Sequence, residues 1–335
     1  MFPASAPHPH RRALLGAALL GAAGLPVVAQ GRQLLRISSP AVPDDWHARM
    51  WTVFREQLDQ SAAGQFEVQI TLNGALFKQG AEPVAMARGN LELASISAFD
   101  MARIVPEFSI FTAGYVIRDP GHLMRVFNGP IGTELFKLVS EKMDLTVLAP
   151  IYYGTRQLNL REVRKVTTPA DLKGVKLRMP ASREWLFLGE ALGATPTPLA
   201  FGEVYLGLKT GTIDGQDNPL PTVKSAKFYE VTKQITLTSH LVDSLFICVS
   251  NKLWDRLNAD QKSHMQGAAK AAARYNNEQR VADEAALLGF FKSQGLDVTT
   301  PDVNAFRKGV QAAYLHSDYA QLWPKGLLER INGTR

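Results

Sequence analysis

The chain has 335 residues, a formal net charge of +6, 46% hydrophobic residues and a single cysteine. That length suits two domains, each large enough to bury its own core, and one cysteine excludes an intramolecular disulfide framework. The basic residues are scattered, with no aromatic-basic module or basic stripe, so nucleic acid is not an expected partner.

Arg11 and Arg12 precede an uncharged apolar run over 13–25, and Val27, Val28 and Ala29 supply small residues for cleavage. This is the pattern of a secretory signal at 1–29, too short for a membrane span of roughly 20 apolar residues. The RRALL sequence fits twin-arginine export as well as the general secretory route. Removing the segment lowers the net charge from +6 to +4 and leaves an exported mature chain. Cys248, inside LFICVS, reads as a buried, inert thiol.

Strand and helix signals then alternate. A strand is expected at 34–38. A helix from Asp44 or Asp45 carries Trp46, Met50, Phe54 and Leu58 at four-residue spacing and stops at Gly64. Phe66, Val68, Ile70 and Leu72 alternate as a strand, and a short helix at 83–87 leads through Gly89 into the strand LELASIS at 91–97. Thr168, Pro169 and Asp171 form a helix-start signal closed by Gly174. A strand at 175–179, helices at 182–192 and about 202–209, and a strand at 212–216 follow. A strand at 244–250 then precedes one long helix at about 259–293. The pattern predicts an α/β protein with mostly parallel sheets flanked by helices. Chain crossings between its halves are expected near 152–154 and 239–244, with the long helix lying across both.

The motif survey is negative for chemistry. HExxH, paired CxxC, a Walker loop, GxGxxG and GxSxG are all missing from the sequence. His47, His122, His240, His264 and His316 show no metal-ligand spacing and read as surface or structural residues. No metal, cofactor or catalytic residue is expected. An exported enzyme with a non-standard site is the different-class alternative, and the lack of a nucleophile–base pair argues against it.

Arg156 in GTRQLN, Arg178 in KLRMP and Asn218 in TIDGQDNP are candidates for holding a carboxylate. Arginine offers a rigid, permanently charged donor fork, and asparagine adds directional hydrogen bonds. Arg178 interrupts an apolar strand immediately before Pro180, at the strand end where α/β sheets bind ligands. Ordinary ion pairing is the competing role for both arginines. A turn before Pro219 competes for Asn218, and a core position competes for Phe201.

The runs TPADLKGVKLRMP, ALGATPTPLAFGEVYLGLKTGTIDGQDNP and KFYEVTK, with GTRQLN and LFICVSN, resemble the solute-binding subunits of TRAP (tripartite ATP-independent periplasmic) transporters of the DctP type across the mature chain. The resemblance implies a two-lobed periplasmic binding protein fold. Lobe I would comprise 31–153 and about 244–258; lobe II would comprise 154–243 and part of the C-terminal helices. It implies a monomeric receptor that captures a small organic anion and hands it to membrane permease subunits. A ligand sensor or scavenger on the same fold is the alternative. Arg178 matches the family's main carboxylate-binding arginine, Arg156 its second arginine, Asn218 its ligand-contacting asparagine and Phe201 its pocket aromatic. Ser39, with Asp44, Asp45 or Trp46, would contribute from the first strand-to-helix turn. Ser97, Ala98 or Phe99 would line the side where sialic-acid-binding members carry a glutamate. Serine at 97 therefore points to a smaller or less hydroxylated acid.

Overall fold

A computed structural model describes residues 32–335; the expected signal segment lies outside the described residues. Nine strands of this part join one mixed sheet: β1 (Gln33–Ser38), β2 (Phe66–Thr71), β3 (Leu93–Ser97), β4 (Leu145–Leu160), β5 (Lys176–Met179), β6 (Thr195–Pro198), β7 (Gly215–Pro219), β8 (Gln234–Ser250) and β9 (Asp297–Thr299). Their order is β2-β1-β3-β8-β4-β7-β5-β6, with β9 beside the start of β8.

The expected parallel character is found on both sides of this sheet. β2, β1 and β3 are mutually parallel, as are β7, β5 and β6. Between them run β4 and β8, 16 and 17 residues long, paired antiparallel to each other. Both are buried over most of their length, so they lack the alternation that marks a half-exposed strand. That explains why sequence periodicity shows only 244–250 of β8 and little of β4. The β4–β8 register slips between Tyr152 and Gly154, where Tyr152 faces Ser244 and Gly154 faces Asp243. The two expected crossings are thus neighbours in one bulged ladder.

The long helix occupies Ala259–Ser293, capped by Asn258 and Gln261, whose side chains each accept the other's backbone N–H. Its first half packs small residues, Ala268, Ala269, Ala272 and Ala273, into one core with Trp51, Phe54 and Ile247. Its second half places Leu287 and Phe291 in a separate core with Phe201, Val204 and Phe228. Between these apolar ends lies a polar face. Asn276 donates to the Tyr152 carbonyl at 2.9 Å, and Asn277 accepts from the Tyr152 N–H at 2.8 Å. Arg280 donates to the Tyr153 carbonyl at 2.7 Å, and Glu284 accepts from the Thr155 N–H at 2.7 Å. The bulge frees β4 backbone groups from the ladder, and the helix satisfies them.

Gly154 makes this close approach feasible. Its φ is +128°, and an added Cβ would sit 2.4 Å from the Pro219 Cβ and 2.7 Å from Glu284 Oε1. Gly154→Ala should therefore lower unfolding stability by about 1–3 kcal/mol from backbone strain alone, with the steric clash adding to it. Chemical denaturation reads this directly; a change within about 0.5 kcal/mol of wild type would contradict the packing described.

Candidate functional site

The carboxyl ends of β1, β3 and β7 converge beside the bulge, the position where α/β sheets bind ligands. They surround a cavity of about 50 Å³, room for one or two water molecules. Its lining includes Ser97 at the end of β3, Arg156 on β4, Asn218 on β7 and Asp243 on β8. Trp185, on the helix Arg183–Ala191, and Phe201 close one side.

Arg156 is buried and internally balanced. Its Nε donates to Asp217 at 2.8 Å, and one terminal nitrogen donates to Asp243 and to Asn218 Oδ1, each at 3.3 Å. Its guanidinium carbon lies 4.4 Å from the Trp185 ring centre, and Trp185 stacks on Phe99 with centroids 3.5 Å apart. Burial works against the Arg156 charge, but Asp217 and Asp243 outweigh it and raise its pKa. Asp217 responds in kind: burial favours its neutral form, yet Arg156 and a hydrogen bond with His240 hold it well below the usual carboxylate range. Burial dominates at Asp243 and lifts it to about 6 against the pull of Arg156.

Arg178 is held differently. It is 1% exposed, yet its Nε donates to the Leu199 carbonyl at 2.8 Å and one terminal nitrogen to Gln79 Oε1 at 2.9 Å. Both acceptors are neutral. No carboxylate among the described residues forms an ion pair with it, and Phe201 lies 6.0 Å from the guanidinium carbon. Burial pushes its pKa down to about 9, with Arg156 adding repulsion and Asp217 opposing. It stays cationic at neutral pH.

Asn218 is committed on both ends. Its Oδ1 accepts from Arg156, and its Nδ2 donates to Gln216 Oε1 at 2.6 Å. Gln216 donates to Asn159, which donates to Thr232 at 2.7 Å and to the Gln234 carbonyl. This buried chain fixes the orientation of the β4–β7 polar face.

Comparison with known proteins decides the family. Residues 40–320 match the model of the bacterial extracellular solute-binding proteins, family 7. The chain belongs to this family. It is 32% identical to the sialic acid-binding periplasmic protein of Vibrio cholerae over 263 residues, 78% of this chain and 81% of that one. A TRAP periplasmic solute-binding protein from Roseobacter denitrificans, solved with 3-deoxy-D-manno-oct-2-ulosonic acid, is 44% identical. It superposes with a TM-score of 0.87 over 91% of this chain and 100% of its own. A second one from the same species, solved with L-galactonate, is 26% identical with a TM-score of 0.83 over 90% of this chain and 100% of its own. Family members are periplasmic solute receptors rather than enzymes, and they work with membrane permease subunits.

Against that family, the expected residues divide into two groups. Arg156, Asn218, Phe201 and Ser97 line the cavity, and Arg178 reaches it through Gln79, which also lines it. Phe99 is fully buried behind Trp185 and supports the wall without forming it. Ser39 Oγ caps the Ala41 N–H at 3.2 Å, while its neighbours Pro40 and Ala41 line the cavity. Asp44 is exposed and pairs with Arg49.

Asp45 and Trp46 are elsewhere. Asp45 caps the helix Trp46–Ser61 by accepting the His47 N–H, forms an ion pair with Arg280, and accepts from Thr222 and Ser225, each at 3.0 Å. Its oxygens are spoken for, and Arg280 holds its pKa down despite burial. Trp46 donates to Asp283 at 2.5 Å and packs edge-on to Tyr275. A polar residue at a strand-to-helix turn satisfies helix capping as readily as ligand contact, and here capping takes it.

Lining residues that sequence reasoning did not single out include His47, Gln79, Glu82, Ser95 and Asp100. Serine at 97 does not leave its wall without carboxyls, because Asp100 accepts the Ser97 hydroxyl at 2.7 Å and Glu82 sits nearby. Burial, aided by repulsion from Asp100, lifts Glu82 to about 7. Burial likewise raises Asp100 against hydrogen bonds from Ser97.

Two stability predictions follow from these placements. Asp45→Asn leaves Arg280 buried without its counter-ion and should cost about 3–5 kcal/mol in denaturant unfolding, with the affinity of the folded protein for its ligand unchanged. Loss of affinity without loss of stability would reverse that assignment. Glu82 binds its proton more tightly in the native state than in the unfolded chain. Its contribution to stability is therefore fully present below the unfolded value of 4.5 and is lost as pH rises through about 7. Glu82→Gln should flatten the fall in thermal midpoint between pH 5 and pH 8; an unaltered slope would show that Glu82 is not the group titrating.

Proposed function

We propose that this protein is the exported receptor of a TRAP transporter for an organic acid, with Arg178 as the group that binds the acid's carboxylate. The observation that carries this reading is the buried Arg178 guanidinium satisfied only by neutral acceptors. A buried cation without a counter-ion is costly; an arriving carboxylate supplies the missing charge and accepts a forked pair of hydrogen bonds. Arg156 differs because Asp217 and Asp243 already neutralise it. Its role is to present N–H groups and, through Asn218, a fixed polar surface. Phe201 and Trp185 exclude water beside the charged contact, which strengthens it.

In this reading residues 1–29 direct export and are removed near Ala29, and the mature protein acts as a monomer. Lobe I comprises 31–153 and about 244–258; lobe II comprises 154–243 with part of the C-terminal helices. The two groups of parallel strands on either side of β4 and β8 support that division. The lobes part to admit the acid, since about 50 Å³ is too little for a six-carbon ligand, and close over it. Against the less hydroxylated acid expected from Ser97, the ligand in this reading is a hydroxylated acid: relatives solved with 3-deoxy-D-manno-oct-2-ulosonic acid and L-galactonate support this, as do the polar side chains that line the cavity away from the arginines.

Calorimetry with those two acids tests the reading. Arg178→Ala should lose about 30-fold or more in affinity, the effect of removing one partner of a buried charge pair. Arg178→Lys should recover little, since an ammonium has no planar fork. Wild-type affinity in Arg178→Ala would overturn the assignment.

A further inference from the structure

Besides Gln79, which accepts from Arg178, the segments over 47–100 bring to the cavity a second set of polar groups that hydrogen-bond neither arginine. His47 is 4% exposed, and its Nε2 is buried with no hydrogen-bond partner. Ser95 Oγ is likewise buried and unpartnered. Glu82, 4% exposed, uses one carboxyl oxygen to accept the Gly80 N–H at 2.8 Å, and its other oxygen forms no hydrogen bond with a described residue. All three residues line the same cavity, with Asp100 beside them. Buried polar groups are paired in the great majority of folded proteins, so two unmet groups, His47 Nε2 and Ser95 Oγ, converging with the Glu82 carboxyl on one small space mark a place where a ligand completes the structure.

We propose that His47, Ser95 and Glu82 form a hydroxyl-recognition subsite that selects acids carrying hydroxyl groups on carbons remote from the carboxylate. This rests on the carboxylate reading of Arg178. The chemistry narrows the ligand group. A hydroxyl both donates and accepts, so it satisfies a neutral imidazole nitrogen in either tautomer, the serine hydroxyl, and the glutamate in either protonation state. A methyl or methylene would leave His47 Nε2 and Ser95 Oγ unpaired. A second carboxylate would meet Glu82 and Asp100, which repel it when ionised. An ammonium suits the carboxyls but not the setting of His47, where burial, with Arg280 adding to it, outweighs the attraction of Asp45 and pushes the imidazole down to about 4.

The test compares 3-deoxy-D-manno-oct-2-ulosonic acid and L-galactonate with succinate, by calorimetry and competition, on the full mature protein. Wild type should bind the two hydroxylated acids at least about tenfold more tightly than succinate. His47→Phe keeps the ring that packs on Tyr153 but removes both nitrogens. Ser95→Ala and Glu82→Ala remove the other two groups, with Glu82→Gln as the variant to use if Glu82→Ala does not fold. Each should weaken the hydroxylated acids by about tenfold, the scale set by an unpaired buried polar group, and narrow their advantage over succinate. Unchanged affinity for the hydroxylated acids in all these variants, or wild-type binding of succinate as tight as theirs, overturns the subsite. Arg178→Ala separates the two readings. If it abolishes binding while the subsite variants do nothing, only the subsite fails. If it binds normally, or wild type binds none of the acids, the carboxylate reading fails and the subsite with it.

Discussion

Three fully buried guanidiniums organise this molecule, and the constraint on each is that its charge must be answered. Arg280 is answered by Asp45 and Arg156 by Asp217 and Asp243. Arg178 receives only a backbone carbonyl and an amide oxygen. Folding places all three within the protein at a desolvation cost, and in two cases recovers it through an internal ion pair. The third is left to be answered from outside. This asymmetry distinguishes a structural arginine from a receptive one more firmly than exposure or sequence position does, since all three are equally hidden from solvent.

The two balanced arginines also explain how the third is held ready. Arg280 belongs to the polar face of the long helix that satisfies the bulged backbone of β4 at Tyr152–Thr155. Through Asp45 it fixes the start of the helix Trp46–Ser61, and through Thr222 it touches the helix that follows β7. Arg156 comes one residue after that clamped segment and ties β4 to β7 and β8. The ends of β3 and β7 are thereby positioned around one point by buried polar contacts, which are directional, as well as by apolar packing, which is not.

What could be read from the sequence follows the same physics. The long helix was legible because its sequence is rich in alanine, glutamine and charged residues over about ten turns. Met50, Phe54 and Leu58 were legible because one face of their helix is apolar and the other is not. Arg178 stood out as a charge in an otherwise apolar strand, and the family resemblance gave it a role. The first ten residues of β8 were not legible: Gln234, Thr236, Thr238 and His240 are polar yet fully buried, satisfied partly by one another and partly by Arg164, Asp217 and Thr299 from elsewhere in the chain. His47 and Glu82 failed for a related reason. Their significance lies in a cavity assembled from segments that are separated along the chain, and nothing local distinguishes them from a surface histidine and a helix-start acid. Asp45 shows the converse, since a residue well placed for ligand contact was already engaged by Arg280.

One further feature keeps Arg178 from finding a partner inside the protein. Glu82 and Asp100 lie at the same cavity, and either carboxylate would neutralise the arginine if it could reach it. The turn at 79–82 prevents this. Gln79 occupies one terminal nitrogen of Arg178 with a neutral oxygen, while the Gly80 N–H holds one oxygen of Glu82 two residues on. Gly80 has φ +89°, and a side chain there would approach Asp100 Oδ1 at 3.6 Å; the left-handed conformation is what turns the chain between the two contacts. A glutamate in place of Gln79 would close an internal salt bridge and stabilise the empty protein at the expense of capture. The same logic accounts for the raised Glu82 and Asp100, whose burial beside one another favours protonation and softens their repulsion of an incoming anion. The unanswered cation and the muted acids are thus two consequences of one turn, which keeps opposite charges in a single cavity from satisfying each other before a ligand does.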